Sequence, residues 1–174
     1  HVRDYGGAVY LEDGTCEIID GTITSCTAKK GGAVNGGGEN SPSFTMTGGR
    51  IENCIAEGDF SDGGAVYLEG GNVTIGDDAV IWGNIANGGN GGGVCVRLGN
   101  FKMSGDAKIE HNTSLFTEVE DGGTSVGYGG NGGGVYITST NEVNVNIDNG
   151  YITDNSASRR GGGVCVDMPD ENKM

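Results

Sequence analysis

The chain has 174 residues, 37 of them Gly and only 2 Pro, and its formal net charge is −14. With no glycine at every third position it is not collagen. Its charge repels nucleic-acid phosphates and anionic membranes, and no run of 18 apolar residues is present to span a bilayer as a helix. A hydrophobic share of 34% is low for a compact globule but suits a thin core renewed turn by turn. A glycine-rich acidic composition also fits disorder, a reading opposed by the periodic apolar positions that follow.

The tetrad Gly-Gly-Ala/Gly-Val opens at residues 6, 31, 63, 91, 132 and 161, so successive starts lie 25, 32, 28, 41 and 29 residues apart. A period in this range marks a repeat architecture, each copy one turn of a solenoid. The first turn reads GGAVYL (6–11), then CEI (16–18), then Ile23–Cys26–Ala28. The second reads GGAVNG (31–36), FTM (44–46) and Ile51–Cys54–Ala56, with insertions at 36–43 and 57–62. The third reads GGAVYL (63–68), VTI (73–75) and Ile81–Asn84–Ala86. The fourth reads GGGVCV (91–96), FKM (101–103) and Ile109–Asn112–Ser114. It is followed by the longest insertion, Leu115–Asn131, which carries the acidic stretch Glu118–Asp121. The fifth reads GGGVYI (132–137), VNI (145–147) and Ile152–Asn155–Ala157, and GGGVCV (161–166) starts a sixth.

Short period-two segments bounded by Gly, Asn and Asp predict strands and turns, with no helical stripe in competition. Three strands per turn predict an all-β fold, a single-domain parallel β-helix over 1–174 with about five to six turns. Like residues then stack about 4.8 Å apart in columns. The valines of the tetrads form one inward column, residues 16, 44, 73, 101 and 145 another, and residues 18, 46, 75, 103 and 147 a third. Asn84, Asn112 and Asn155 are expected to stack at a bend, satisfying backbone groups there. The paired glycines mark sharp turning or close packing. Open sheet edges at the two ends predict contacts with neighbouring repeats of the same chain, as in a segment of a longer protein.

Chemistry-bearing residues are few. Cys16, Cys26, Cys54, Cys95 and Cys165 form no CxxC pair, and only His1 and His111 could join them, so a zinc site is not expected. They read as small buried hydrophobes, although Cys26 and Cys54 share a column in adjacent turns, within disulfide distance. Asp77, Asp78, Asp106 and Asp148, with Asp20 nearby, fall in turns and read as turn formers. No cofactor, metal site or catalytic residue is expected, with weak Ca2+ binding by stacked turn carboxylates left open. Tyr10, Tyr67 and Tyr136 share an outward column and are the candidate binding residues, as a platform on which sugar rings could stack. Covering the sheet is the alternative role.

The tetrad followed by a second strand and Ile-x-x-Asn resembles the GGA[I/V/L]…FxxN repeat of the chlamydial polymorphic outer-membrane proteins. Segments such as FTMTGGRIENCIA (44–56) and GGAVYLEGG (63–71) resemble β-helix repeats of large cell-surface proteins from gut bacteria. The resemblance covers roughly 6–166. Ile replaces the aromatic of FxxN, and Cys26 and Cys54 stand where Asn stands later. The resemblance implies a right-handed parallel β-helix, a location outside the cell or at its surface, and a role as adhesin stalk or passenger. The expected function is a non-enzymatic extracellular module contacting a host or neighbouring-cell glycan or protein. The alternative is a fragment of a polysaccharide lyase or glycoside hydrolase of the pectate-lyase-like fold.

Overall fold

The computed structural model describes residues 3–38, 40–121 and 124–168, with the backbone alone described for residues 3–4, 119–121 and 124–126. His1 and Glu39 therefore lie outside the described residues, as do most side chains of the acidic stretch. Among the described residues the chain is all β-strand and turn, and no helix is long and apolar enough to cross a membrane. It forms a β-solenoid of about five turns with three parallel sheets.

Sheet I runs through Val9–Leu11, Val34–Gly37, Val66–Ile75, Val94–Met103, Val135–Thr138 and Val164–Asp167. Its register stacks Val9, Val34, Val66, Val94, Val135 and Val164 in one column. Sheet II runs through Thr22–Thr24, Arg50–Glu52, Val80–Trp82, Lys108–Glu110 and Tyr151–Thr153, and stacks Ile23, Ile51, Ile81, Ile109 and Ile152. Sheet III contains Arg3–Tyr5, Thr27–Lys30, Ile55–Glu57, Ile85–Asn87 and the start of Thr113–Asp121.

The walls are divided differently from the sequence expectation. The first and second stretches of each turn belong to one sheet, and in the third and fourth turns they fuse into the ten-residue strands Val66–Ile75 and Val94–Met103. The third stretch instead breaks in two, its Ile in sheet II and its small residue in sheet III. The break is conformational: Ser25, Asn53, Gly83, His111 and Asp154, each one residue before the Cys or Asn, have φ between 53° and 63°. Short polar residues and glycine enter this left-handed region at low cost.

Just past that bend, side-chain amides replace the missing strand ladder. Asn84 Oδ1 accepts the Cys54 N–H at 2.9 Å, and Asn84 Nδ2 donates to Ile51 O and to Asn112 Oδ1. Asn112 repeats the pattern with the Asn84 N–H, Ile81 O and Asn155, and Asn155 Nδ2 reaches Ile109 O at 2.7 Å. Cys26 and Cys54 break the series: each thiol donates to the carbonyl two residues back. The lumen is apolar and continuous, with Val34, Phe44, Met46, Ile51, Val66 and Leu68 among its fully buried side chains.

The paired glycines serve two different needs. The first of each pair is left-handed, as at Gly63 with φ 72°. The second lies against the adjacent turn, where a Cβ on Gly64 would overlap the Gly92 carbonyl oxygen.

Candidate functional site

The residue before each glycine pair begins the site. Tyr5 and Lys30 are register partners, and the column continues through Asp62, Asn90, Asn131 and Arg160, with each following glycine N–H donating to the next carbonyl along. Side chains lock its middle. Asn90 donates both its backbone N–H (2.8 Å) and Nδ2 (3.1 Å) to Asp62 Oδ1, and Asn131 donates Nδ2 to Asn90 Oδ1 at 2.8 Å. Asp62 is thus the acidic end of a second amide ladder, 1% exposed. Burial pushes its carboxyl above the ordinary value of 3.8, opposed by the Asn90 and Tyr128 hydrogen bonds and by Lys30.

The insertion 115–131 builds a wall here. Thr113–Asp121 leaves the sheet III register after Leu115 and pairs antiparallel with Thr124–Gly129. This hairpin leans back over the short corner at Gly88–Gly89 onto the second-turn insertion. A Cβ on Gly88 would press on Thr117, and one on Gly129 would meet the Gly89 backbone. At the hairpin's end the Tyr128 hydroxyl donates to both oxygens of Asp62, at 3.0 and 3.3 Å. The Tyr128 ring meets Phe60 edge-on with centroids 4.4 Å apart. Phe60 is 42% exposed and sits at φ 57°, outside the repeating left-handed positions. A bulky residue there costs about 1–2 kcal/mol, and such strain concentrates at functional sites.

Beneath the hairpin lies the outward column of sheet I: Tyr10, Asn35, Tyr67, Cys95, Tyr136 and Cys165 in register. The outward direction expected for Tyr10, Tyr67 and Tyr136 holds, and Tyr10 is 53% exposed. Tyr67 and Tyr136 are not exposed: at 2% and 7% they pack with Cys95 in a second small core outside the lumen. The flat tyrosine platform is therefore replaced by one open ring and two covered ones. Burial raises Tyr67, Tyr128 and Tyr136 well above the ordinary phenol value, and raises the Cys95 thiol likewise.

Between these surfaces is a cleft of about 550 Å³. Sheet III supplies Tyr5, Lys29 and Lys30, the second-turn insertion Asp59 and Phe60, sheet I Glu69 and Arg97, and the hairpin Tyr128. Tyr67 forms part of its support: Lys30 Nζ lies 4.7 Å from the Tyr67 ring centroid and donates to the Tyr67 hydroxyl, which donates to Glu69 Oε2 at 3.0 Å. Arg97 is half-buried. Burial lowers its guanidinium pKa, and the field of Tyr67, Glu69, Tyr128 and Asp62 more than offsets this, leaving it raised.

The turn carboxylates lie elsewhere. Asp78 and Asp106 share an open hollow of about 620 Å³ with Lys108, Glu110 and Tyr151 on the outer face of sheet II. Among the described residues no three His, Cys, Asp or Glu side chains gather to hold a metal ion, and the five cysteines are free thiols.

Lys29, Lys30, Phe60, Asp62, Arg97 and Tyr128 were not singled out as site residues from sequence. One signal pointed to this corner: insertions 57–62 and 115–131 occupy the same place in the repeat, between the third stretch and the next glycine pair. The chain matches no protein-family model, no curated protein and no solved structure.

Proposed function

We propose that this chain is a non-enzymatic extracellular repeat module, an adhesin stalk or passenger of a bacterial surface protein, which contacts a glycan through the cleft beneath its hairpin. The observation that carries this reading is the hairpin itself. The largest departure from the repeat, 115–131, closes a ligand-sized hollow walled by Tyr5, Phe60 and Tyr128, within the usual range of about 300–1,000 Å³ for binding pockets. The rest of the solenoid is a stacked scaffold, the arrangement in which loops carry specificity on a rigid frame. A glycan array and a mucin pull-down test it. Binding above background is expected, and silence in both would reduce the module to a spacer.

A second reading, a polysaccharide lyase or glycoside hydrolase fragment, draws on Asp78, Asp106 and Glu110 beside Lys108 in one hollow. Paired carboxylates can act as acid and base on a glycosidic bond. Release of new reducing ends from an acidic polysaccharide, lost in Asp106→Asn, would favour it over the binding module.

A further inference from the structure

Basic residues are scarce in this protein, 10 against 24 acidic ones, yet Lys29, Lys30 and Arg97 all line the one cleft. Lys29 is exposed, whereas Lys30 and Arg97 are half-buried. Lys30 is held by the ring and hydroxyl of a buried tyrosine, so its ammonium is oriented before any ligand arrives. Arg97 is half-buried, and its guanidinium has no hydrogen-bond or ion-pair partner among the described residues. Its N–H donors face the cleft and solvent, so they are open to an anionic group of a ligand.

The remaining walls narrow the chemistry. Tyr5 is 59% exposed and Phe60 42% exposed, and such rings offer apolar faces to the C–H face of a pyranose. Asp59 and Glu69 add acceptors at the same cleft, suited to hydroxyl donors and repulsive to a densely charged phosphate. A ligand with one anionic group, several hydroxyls and an apolar ring face satisfies all three sets. An acidic peptide supplies the charge, but its repeated carboxylates meet those of Asp59 and Glu69 at the same cleft.

We infer that the cleft recognises a carboxylated sugar, a uronate- or sialate-type residue whose carboxylate pairs with Arg97 and Lys30 while its ring lies among Tyr5, Phe60 and Tyr128. Arg97 can engage a carboxylate through two parallel N–H bonds. This inference rests on the binding-module reading and gives it a ligand class.

The test uses the full chain on an array of uronate- and sialate-containing glycans, each printed also as its neutral methyl ester, with sulfated glycans and polyglutamate alongside. Binding is expected for carboxylated sugars, lost on esterification, and weakened by added salt. Arg97→Gln should lower affinity by about tenfold or more, the range for a charge-assisted hydrogen bond. Phe60→Gly, at a left-handed position where glycine is favoured, should lower it several-fold with the fold intact. Equal binding of acid and ester, indifference to Arg97→Gln, or preference for sulfated glycans or polyglutamate would each overturn the inference. Neutral glycan binding that is still sensitive to Phe60→Gly would sink the carboxylate and leave the binding module standing. Absence of all binding would sink both.

Discussion

The Tyr128 hydroxyl donates to the buried carboxylate of Asp62 across 66 residues of sequence, joining the hairpin to the corner of the solenoid on which it rests. The same carboxylate accepts two hydrogen bonds from Asn90. One acidic group thus ends the inter-turn amide ladder and anchors the wall of the cleft.

Burial raises the Asp62 pKa, so the folded chain binds this proton more tightly than the unfolded one. The contribution to stability is therefore greatest below the ordinary carboxylate value of 3.8 and declines as pH rises from there through the raised value. Asp62→Asn keeps an amide oxygen for Asn90 and copies the Asn90–Asn131 pair one turn back. Melting temperatures measured from pH 4 to 8 should show a flatter profile for this variant than for wild type. Parallel profiles would contradict the assignment.

Asn84→Ala removes the acceptor of the buried Cys54 N–H and the donor to Ile51 O. An unsatisfied buried group costs about 1–3 kcal/mol, so a loss of about 2–4 kcal/mol is expected in chemical denaturation. Asn155→Ala should cost less, because its position is half-buried in the last complete turn.

How much of this was legible in sequence depends on whether a residue obeys the repeat. The Val, Ile and Asn columns could be read directly, since each position recurs under the same demand: an inward apolar group, or an amide beside an open strand end. The division of walls was less visible. Whether VYL and VTI are two strands or one depends on how far the backbone turns at Gly70–Gly71, and apolar alternation looks the same either way. Tyr67 and Tyr136 point outward as strand alternation requires, but they are buried with Cys95 in contacts that join different turns, which alternation within one strand does not reveal. The cleft lay beyond reach for that reason: Phe60 belongs to the second turn, Arg97 and Tyr128 to a strand and an insertion of the fourth, and the three share no column.

Gly64→Ala tests the close approach of turns. A Cβ at this position would overlap the Gly92 carbonyl and the Ile85 backbone, neither of which can swing aside. Overpacking against backbone costs about 1–3 kcal/mol, and a melting temperature lower by about 3–10 °C is expected. Gly37→Ala, where a Cβ meets only ordinary contacts near Glu69, is the control and should leave the melting temperature nearly unchanged.

Thiol chemistry checks the two cores separately. Burial pushes the Cys54 thiol up to about 11 and raises Cys95 well above its ordinary value. The reactive thiolate is therefore rarer at pH 8 than for a free cysteine. Both should resist iodoacetamide in the native chain and react fully in denaturant, as read by mass spectrometry of labelled peptides. Fast native labelling of Cys95 would mean that the small core it forms with Tyr67 and Tyr136 on the outer face of sheet I is open.

The most direct measurement removes that hairpin. Replacing residues 117–128 with two glycines shortens the corner toward the length found after the third turn, leaving the stacked strands of sheets I and II untouched. The account predicts an unchanged β-sheet circular dichroism spectrum and a cooperative melt, with glycan binding abolished. Binding retained at wild-type strength, or a solenoid that no longer folds, would contradict the claim that a self-sufficient scaffold carries its recognition in one added wall.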